Sequence, residues 1–474
     1  MVHSAGFRLA FVIALACSLP GAVFASSVSF SKVVLPEGFS GQHADLNNDG
    51  REDFVYPNAG TGAFEVVLST GDGSYASPAS YTIPGGADTT DLAVGDFNSD
   101  GKADLLVFGS DSALHLFLNN GSGKFSQKAV FAIPGGGAHP AVGDFNHDGV
   151  MDVAFQTGKN GVPLLTVWFG NGKSGFTAGP TSSFAPDGGG DYVLLGDFDG
   201  DGKADLAFGA FEDPDIQVLY GDGTGRFPKI SVIETDDVNV IFTAADVNGD
   251  GRMDIIGTQP SAGVDHVSVF YGKANRTWTL TTIPTPHAAF ETAVADVNGD
   301  GINDLIVVEQ FCTSPSSYCV GVLTRNSNGS YNPQQTIDTA PEQLGFISVL
   351  RANRGDTKPD LMVGNILMLN TTSGSFPTCA APNAFEGINV CSPAAGSAVA
   401  SPISFKIGVA GQVVMRDVEV WVDGKKLAEQ LDGFSNYTFL NHSLSLAKGS
   451  HAVTIYAVGW DQSLQKKSFT VNVK

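Results

Sequence analysis

Residues 96–104, DFNSDGKAD, are one copy of a nine-residue pattern, D-x-[ND]-x-D-G-x-x-D, that the sequence repeats. The other copies are DLNNDGRED (45–53), DFNHDGVMD (144–152), DFDGDGKAD (197–205), DVNGDGRMD (246–254) and DVNGDGIND (296–304). A degraded seventh copy, ANRGDTKPD, begins at Ala352. Successive copies begin 48 to 56 residues apart. This spacing indicates a repeating unit of about 50 residues.

Two further signals recur with the same period. An alternating apolar stretch and a glycine-rich turn lead to an aromatic residue at Tyr75, Phe125, Phe176, Phe227, Trp278, Tyr331 and Phe376. A short strand such as FAIP (131–134) follows in six repeats, whereas the seventh copy, VVLP (33–36), stands at the opposite end of the chain. About four strands per unit predict an all-β fold, a β-propeller. We predict that VVLP pairs into the blade ending at Phe376, which leaves no open edge. The predicted fold is a seven-bladed β-propeller closed by an N-terminal strand, over residues 26–377.

The acidic pattern has the chemistry of a metal-binding loop. It places carboxylate or amide oxygens at positions 1, 3, 5 and 9, and glycine at position 6 permits a sharp turn. This oxygen density suits Ca²⁺ better than Mg²⁺, which demands a small octahedral shell, and carboxylates this close repel one another without a cation. We predict about six Ca²⁺ sites on this ligand chemistry. The predicted ligands are Asp45, Asn47, Asp49 and Asp53; Asp96, Asn98, Asp100 and Asp104; Asp144, Asn146, Asp148 and Asp152; Asp197, Asp199, Asp201 and Asp205; Asp246, Asn248, Asp250 and Asp254; and Asp296, Asn298, Asp300 and Asp304.

An EF-hand loop begins with the same letters but needs Glu at position 12 and flanking helices. Position 12 here is occupied by Tyr56, Val107, Phe155, Phe208, Gly257 and Val307, all in apolar segments that read as strands. The EF-hand interpretation therefore fails in all six copies. Because six equivalent loops imply a repeated architectural task, we expect each ion to staple a hairpin within its blade. The seventh copy has Ala352 and Arg354 at ligand positions and Thr357 in place of glycine, so we predict no metal there.

Composition narrows the choice of partners. The 474 residues include 58 glycines and only 16% charged residues, which favours a turn-rich β protein over a helical one. The chain has 26 basic and 49 acidic residues, a net charge of −23. This balance argues against nucleic acid and anionic membrane surfaces as partners. After the first 25 residues no segment is apolar enough to span a bilayer, so we expect no membrane insertion.

Residues 1–25, MVHSAGFRLAFVIALACSLPGAVFA, are predicted to be a signal peptide that is cleaved before Ser26. The short apolar run and the break at Pro20 and Gly21 argue against a membrane anchor. Lipidation at Cys17 is a third interpretation, but Ala14 stands where a lipobox has Leu. The protein is therefore expected to be secreted or extracellular, or else periplasmic or associated with the cell surface.

Four cysteines remain after the predicted cleavage. An even number in an exported chain predicts disulfide bonds. Of the three connectivities, Cys312–Cys319 with Cys379–Cys391 is favoured because each pair brackets a short, turn-rich stretch. Zinc is the alternative, but no histidine lies near either pair at ligand spacing.

Residues 378–474 lack the acidic loop. They show alternating strands such as DVEVWVDGKKL (417–427) and HAVTIYAVGW (451–460), with Asp-Gly turns at 423–424 and 432–433. About six short strands in about 95 residues predict a β-sandwich. Trp421 alternates with valines and is predicted to lie in the core. Cys379–Cys391 would tie the linker to the first strand of this domain.

The acidic loops, together with turns such as Gly121-Ser122-Gly123-Lys124-Phe125, resemble FG-GAP repeats, also called VCBS repeats, over about residues 30–377. Similar repeats form the head of integrin α chains and occur in many secreted bacterial proteins. The resemblance implies a seven-bladed propeller with Ca²⁺ in its blade hairpins and a role in binding or adhesion. Residues 378–474 are similar to immunoglobulin-like accessory domains of bacterial secreted proteins.

The remaining motifs leave three functions open. No G-x-S-x-G or H-E-x-x-H motif occurs, so we predict no enzyme, although glycosidase carboxylates need not be close in sequence. Arg354-Gly355-Asp356 lies in the degraded loop and is interpreted as a remnant of the repeat. The insertion EQFCTSPSSYCVG (309–321) is either a recognition loop or an inert excursion.

The leading hypothesis is a binding or adhesion protein for a carbohydrate or protein ligand. The alternatives are a propeller-platform enzyme, such as a polysaccharide lyase or hydrolase, and a structural spacer of the envelope.

Overall fold

The computed structural model describes residues 27–35, 41–58, 61–71, 73–133, 138–159, 162–183, 192–209, 215–235, 241–258, 265–312, 318–338, 347–352, 358–373, 376, 379, 387–411, 415–431, 437–459 and 464–474. This part of the chain contains no helix that is long and apolar enough to cross a membrane. The predicted signal peptide, Arg354-Gly355-Asp356 and residues 313–317 of the insertion lie outside the described residues.

The first part of the chain consists of short strands. In chain order they are β1 (Phe30–Val34), β2 (Gln42–Ala44), β3 (Asp53–Asn58), β4 (Ala63–Val67), β5 (Ser69–Gly71), β6 (Ser74–Tyr75), β7 (Ala79–Thr82), β8 (Thr89–Gly95), β9 (Asp104–Gly109), β10 (Ala113–Asn119), β11 (Phe125–Ala132), β12 (Ala138–Gly143), β13 (Asp152–Lys159), β14 (Val162–Gly170), β15 (Phe176–Ser183), β16 (Tyr192–Gly196), β17 (Asp205–Gly209), β18 (Asp215–Tyr220), β19 (Lys229–Glu234), β20 (Ile241–Ala245), β21 (Asp254–Thr258), β22 (His266–Gly272), β23 (Trp278–Pro284), β24 (Ala288–Ala295), β25 (Asp304–Gln310), β26 (Tyr318–Leu323), β27 (Gln335–Asp338), β28 (Ile347–Leu350), β29 (Asp360–Val363) and β30 (Ile366–Asn370).

Within the described residues these strands form seven four-stranded antiparallel sheets. Six sheets follow the chain: β2-β3-β4-β7, β8 to β11, β12 to β15, β16 to β19, β20 to β23 and β24 to β27. The middle strands are buried on both faces and read as apolar runs, as in DLLVFG of β9. The fourth strand of a sheet is more exposed, as in FSQKAVFA of β11, where half-buried and exposed residues alternate after a buried Phe125. The predicted four strands per repeat are confirmed in each of these sheets.

The seventh sheet joins the two ends of this region. Its strand order is β1-β30-β29-β28, with Phe30 opposite Asn370 and Val34 opposite Ile366. This is the pairing that the displaced VVLP segment predicts. It gives β30 a hydrogen-bonded neighbour on its outer side, so this edge is not left open.

Each sheet packs on the next one through apolar side chains. Phe64 of the first sheet and Phe117 of the second share one cluster, with their ring centroids 5.0 Å apart. The seventh sheet packs back on the first through a cluster that includes Phe54, Met362 and Leu367. The first strands of consecutive sheets contact one another, as β8 does β12 and β20 does β24. The sheets therefore share an orientation, and the acidic loops lie at one end, called here the loop end.

In the second, third and fourth repeats, the glycine-rich turn donates a backbone hydrogen bond to the acidic loop of the repeat before it. The amide of Gly123 donates to the carbonyl oxygen of Leu46 at 2.9 Å, and the amide of Gly225 donates to that of Phe145 at 2.7 Å. In these repeats the two sequence signals share a period because the turn closes on the preceding loop.

Residues 387–473 form a second β unit. Its strands are β31 (Gly387–Ser392), β32 (Ala398–Val399), β33 (Ile403–Ala410), β34 (Met415–Val422), β35 (Lys425–Leu431), β36 (Tyr437–Leu444), β37 (Gly449–Gly459) and β38 (Leu464–Val473). A three-stranded sheet, β31-β33-β36, and a five-stranded sheet, β32-β38-β37-β34-β35, share one apolar core that includes Phe405, Val420 and Ile455. The described residues thus hold eight strands where the sequence predicts about six, because the short strands β31 and β32 carry little alternation.

The predicted core position of Trp421 is wrong. Val418, Val420 and Val422 are buried, but alternation along β34 turns Trp421 to the other face of the sheet, where it is half-buried. There its indole N–H donates to Glu419 Oε2 at 2.5 Å, and its ring meets Tyr456 edge-on at 5.8 Å. Alternation with buried valines therefore indicates the outer face.

Both favoured disulfides are confirmed. Cys312 is bonded to Cys319 and Cys379 to Cys391. Cys391 lies in β31, so the second bond ties the preceding chain to the first strand of the C-terminal unit. The first bond closes the insertion between β25 and β26.

Candidate metal centres

Six acidic loops connect the first and second strands of six sheets, as residues 96–103 connect β8 to β9. The glycine at position 6 has φ between 82° and 84° in all six copies. This left-handed conformation favours glycine, which explains why Gly50, Gly101, Gly149, Gly202, Gly251 and Gly301 are always this residue.

The position-1 aspartate organises the loop backbone. Asp96 Oδ1 accepts from the Asp100 amide at 3.1 Å, and Oδ2 accepts from the Gly101 amide at 2.8 Å. The other five loops repeat both bonds at 2.8 to 3.1 Å. Burial raises the pKa of Asp197 and of Asp296 to about 6, against the opposing effect of these hydrogen bonds.

The position-9 aspartate is at least as buried as the other three predicted ligands in each loop, with an exposed fraction of 0 or 1%. In the fourth loop Asp205 Oδ2 accepts from the Phe198 amide at 3.0 Å, and Oδ1 accepts from the Gly221 amide at 2.7 Å. Burial raises the pKa of Asp205 to about 9 and that of Asp53 to about 8. A buried carboxylate of this kind is stabilised as an anion when a cation lies beside it.

The position-5 aspartate is turned toward the surface. In four loops its carboxylate pairs with the basic residue at position 7 at 2.7 Å, namely Asp49 with Arg51, Asp100 with Lys102, Asp201 with Lys203 and Asp250 with Arg252. In these loops Oδ2 of position 5 already pairs with a cation of the protein, which competes with a bound metal ion for that oxygen. Position 7 is Val150 in the third loop and Ile302 in the sixth, which offer no such competitor.

The second loop carries two unsatisfied oxygens. Asn98 Oδ1 and Asp104 Oδ2 are buried and have no hydrogen-bond partner. A buried oxygen without a partner is costly, and two hard oxygens in one loop fit a Ca²⁺ ion. The residues of this loop therefore fit the predicted metal.

The fourth loop differs because position 3 is an aspartate. Oxygens of Asp197, Asp199 and Asp205 lie within 4.8 Å of one another, and all three residues are buried. Asp199 Oδ2 also pairs with Arg276 Nη2, from the fifth repeat, at 2.6 Å. The other acidic loops in the described part of the chain gather no such trio of carboxylates, because their position 3 is asparagine and their position 5 faces outward.

The degraded seventh loop keeps its last aspartate. Asp360 is fully buried; its Oδ2 accepts from the Ala352 amide at 3.0 Å and its Oδ1 from the Asn370 amide at 2.8 Å. Residues 353–357 lie outside the described residues. Position 9 is thus retained in a loop that has lost position 1.

Sequence reasoning missed a second acidic group. Oxygens of Asp417, Glu419 and Glu429 lie within 4.8 Å of one another on β34 and β35. Lys426 Nζ pairs with both glutamates at 2.9 Å, and Arg416 Nε pairs with Asp417 at 2.6 Å, which makes the group an ion-pair network. The strand register sets Glu419 opposite Glu429 and so brings the three acidic residues together. In the sequence, the only signal of this group is the alternation of acidic residues along β34.

Comparison with known proteins supports the repeat and the fold. A profile of the FG-GAP-like repeat matches residues 45–107, 98–155, 197–257 and 246–307. The chain is similar to the structure of BBS1N in complex with ARL6DN, at 11% identity and a TM-score of 0.51, covering 74% of this chain and 99% of that one. It also aligns with a lectin of Agrocybe aegerita that recognises non-reducing terminal N-acetylglucosamine, at 19% identity and a TM-score of 0.47, covering 64% of this chain and 80% of that one. A comparison with curated protein sequences gives no match.

Proposed function

We propose that this FG-GAP repeat β-propeller is a secreted, Ca²⁺-stabilised protein that binds a carbohydrate or an extracellular protein. The observation that carries the proposal is the repeated propeller framework, a fold consistent with binding or adhesion. Most of the clustered aspartates are held in equivalent loops, which leaves few of them for catalysis. Binding is therefore favoured over an enzymatic function.

The proposal includes a finer architecture. The seven sheets would be the blades of one closed propeller over residues 26–377, following the cleaved leader 1–25. Residues 378–474 would be an immunoglobulin-like domain, in keeping with two sheets around one core. The two disulfides are consistent with an extracellular location, where such bonds persist.

In each loop the ion would be held by the side chains at positions 1, 3 and 9, with position 5 joining where its ion pair opens. Bound Ca²⁺ supplies positive charge that offsets the repulsion between buried carboxylates. The protein's own residues hold the loop in shape. The aspartates at positions 1 and 9 fix the loop backbone and the neighbouring hairpin through hydrogen bonds. We propose a structural role for these ions.

The first experiment is a binding screen of the protein without its predicted signal peptide. Binding is measured on a glycan array and by pull-down from extracellular extract, each with Ca²⁺ and with chelator. We expect calcium-dependent capture of one ligand class. Turnover of a polysaccharide in the same samples would favour the enzyme alternative. Failure to capture any glycan or protein would favour the structural spacer.

A further inference from the structure

The C-terminal unit contacts the loop end of the sheets. Arg416 Nη1 donates to the carbonyl oxygen of Gly202 at 3.0 Å. Glu429 Oε2 lies so near Gly251 that a β-carbon there would be 3.2 Å from it. Both glycines are position 6 of an acidic loop. Part of the loop end is thus occupied by the protein's own chain.

A third contact reaches another sheet of the propeller. The guanidinium of Arg351, which follows β28, lies 4.7 Å from the ring centroid of Phe439 in β36. Contacts to the fourth, fifth and seventh sheets therefore all fall at the loop end. The opposite end, where the second and third strands turn, is the end to search for a ligand site.

Phe311 lies at that opposite end. It follows the last residue of β25, a strand that begins at Asp304 directly after the sixth acidic loop. Seven residues of strand separate the two ends by about 23 Å. The side chain of Phe311 is 52% exposed, and no other Phe, Tyr or Trp is exposed among the residues whose burial the structure describes.

The backbone of Phe311 is also unusual. Its φ is 65°, in the left-handed region that bulky residues rarely adopt. Strain of this kind persists where the surroundings enforce it, and it is frequent at ligand sites. The other exposed large apolar residues of the propeller are aliphatic and lie on edge strands, at Val34, Val130, Ile230, Val232 and Leu280.

The neighbourhood of Phe311 is fixed by bonds on both sides. The disulfide between Cys312 and Cys319 closes the segment that follows it. On the other side, fully buried Glu309 accepts from the His287 amide at 3.1 Å and from Gln334 Nε2 at 2.6 Å. An exposed ring on a cross-linked base loses little conformational freedom when a ligand binds.

The features of this platform select a class of ligand. A single exposed ring is far smaller than a protein interface, which needs about 800 Å² on each partner. The strong negative charge of the chain disfavours polyanions. A neutral sugar has a flat C–H face that stacks on a phenyl ring and hydroxyls that hydrogen-bond to flanking polar groups. Gln310 directly precedes Phe311, and a ring nitrogen of His287 lies within 4.8 Å of the sulfur of Cys312, the next residue along the chain. Both polar residues are half-buried.

We propose that Phe311, with His287 and Gln310 beside it, is the recognition platform for a neutral carbohydrate at the end of the propeller opposite the acidic loops. This assignment rests on the proposed binding function and names its site and ligand class.

The test is retention of the leader-free protein on insoluble cellulose, chitin and starch, with bovine serum albumin as a non-binding reference. Wild type is expected to be retained on at least one of them. Phe311→Ala should weaken that retention about tenfold, Phe311→Trp should keep it, and the control Leu280→Ala, on an equally exposed apolar residue, should leave it unchanged. Thermal unfolding of all four proteins verifies that they are folded.

The outcomes separate the two proposals. Retention of wild type with no loss in folded Phe311→Ala would overturn the platform but leave the binding function standing. If the wild-type protein binds none of the polysaccharides but captures a protein in the pull-down, the carbohydrate platform at Phe311 is wrong and the proposed binding function stands. Absence of both would overturn the platform and the proposed function together.

Discussion

The aspartate at position 9 of the acidic loops is an acceptor of backbone hydrogen bonds as well as a candidate metal ligand. One carboxylate oxygen reaches the hairpin of the same sheet in all seven copies, as Asp360 reaches the Asn370 amide. This explains why the seventh loop keeps Asp360 although Ala352 has replaced its first ligand. The two roles can be separated by mutation.

We predict that Asp360→Ala destabilises the protein in the same way with Ca²⁺ and with chelator. The change leaves two buried amides, of Ala352 and Asn370, without their acceptor, at a cost of about 1–3 kcal/mol each. Chemical denaturation in both conditions measures it. Asp360→Asn, which keeps one acceptor oxygen, should lose less. A destabilisation that appears only with Ca²⁺ would contradict the hydrogen-bonding role.

In contrast to Asp360→Ala, Asn98→Ala should destabilise the protein only when Ca²⁺ is present. It removes a buried oxygen that has no hydrogen-bond partner in the second loop, so we expect one fewer Ca²⁺ per chain and a lower melting temperature with Ca²⁺ only. At a Ca²⁺ concentration a hundredfold above Kd, the loss is about 2.7 kcal/mol. Metal analysis and calorimetry measure both effects. Asn328→Ala, in an exposed turn outside the acidic loops, is the matched control; it should leave the Ca²⁺ count and the difference in melting temperature between Ca²⁺ and chelator unchanged.

Glu291, which lies outside the acidic loops, should make the stability of the protein depend on pH. Burial raises its pKa from 4.5 to about 8, and its Oε2 is buried without a partner. The pKa of Glu291 is higher in the folded state than in the unfolded state. The contribution of Glu291 to the free energy of unfolding is therefore fully present below pH 4.5 and is lost as the pH rises toward 8. Glu291→Gln should therefore gain stability over wild type at pH 8, on the order of a few kcal/mol, and little at pH 4.5. Denaturant titrations at fixed Ca²⁺ test this, and an equal effect at both pH values would contradict it.

Among the secondary-structure elements, β1 has the most distant partner. It pairs with β30 from the other end of the propeller region, and Val28 and Leu35 on its flanks are buried. We predict that a chain lacking residues 27–35 unfolds at lower temperature and self-associates through the exposed edge of β30. Light scattering and thermal unfolding measure both properties. A chain that begins at residue 27 is the control, and a truncated chain that stays monomeric with unchanged melting would contradict the closing role.

The elements were predictable where one local pattern repeats. The acidic loops, the glycine-rich turns and the displaced VVLP segment specify four strands per unit and the pairing of β1, because each signal lies within a dozen residues. Contacts that cross repeats were not predictable. Arg276 reaches Asp199 across 77 positions, and Glu419 meets Glu429 only through the strand register. Trp421 was misplaced although its alternation was visible, because neighbours of buried residues in a strand face the other way.

At the scale of the whole molecule, the acidic loops connect the two units. Arg416 and Glu429 contact Gly202 and Gly251, the turning points of the fourth and fifth loops. If these loops bind Ca²⁺ as proposed, chelation should loosen the docking as well as the propeller. We expect faster hydrogen exchange in β34 and β35 with chelator and little change in β32, which mass spectrometry of peptides can resolve. Equal exchange in both strands with and without Ca²⁺ would show that docking is independent of the metal.

The pairing of β1 with β30 also sets the order of events at the ribosome. Val34 is synthesised 332 positions before its partner Ile366. At about 5–20 residues per second, the first strand waits roughly 17 to 66 s for the last one. A nascent chain therefore cannot complete its seventh sheet until almost all of the propeller region has been translated, and a truncated translation product always lacks that closure.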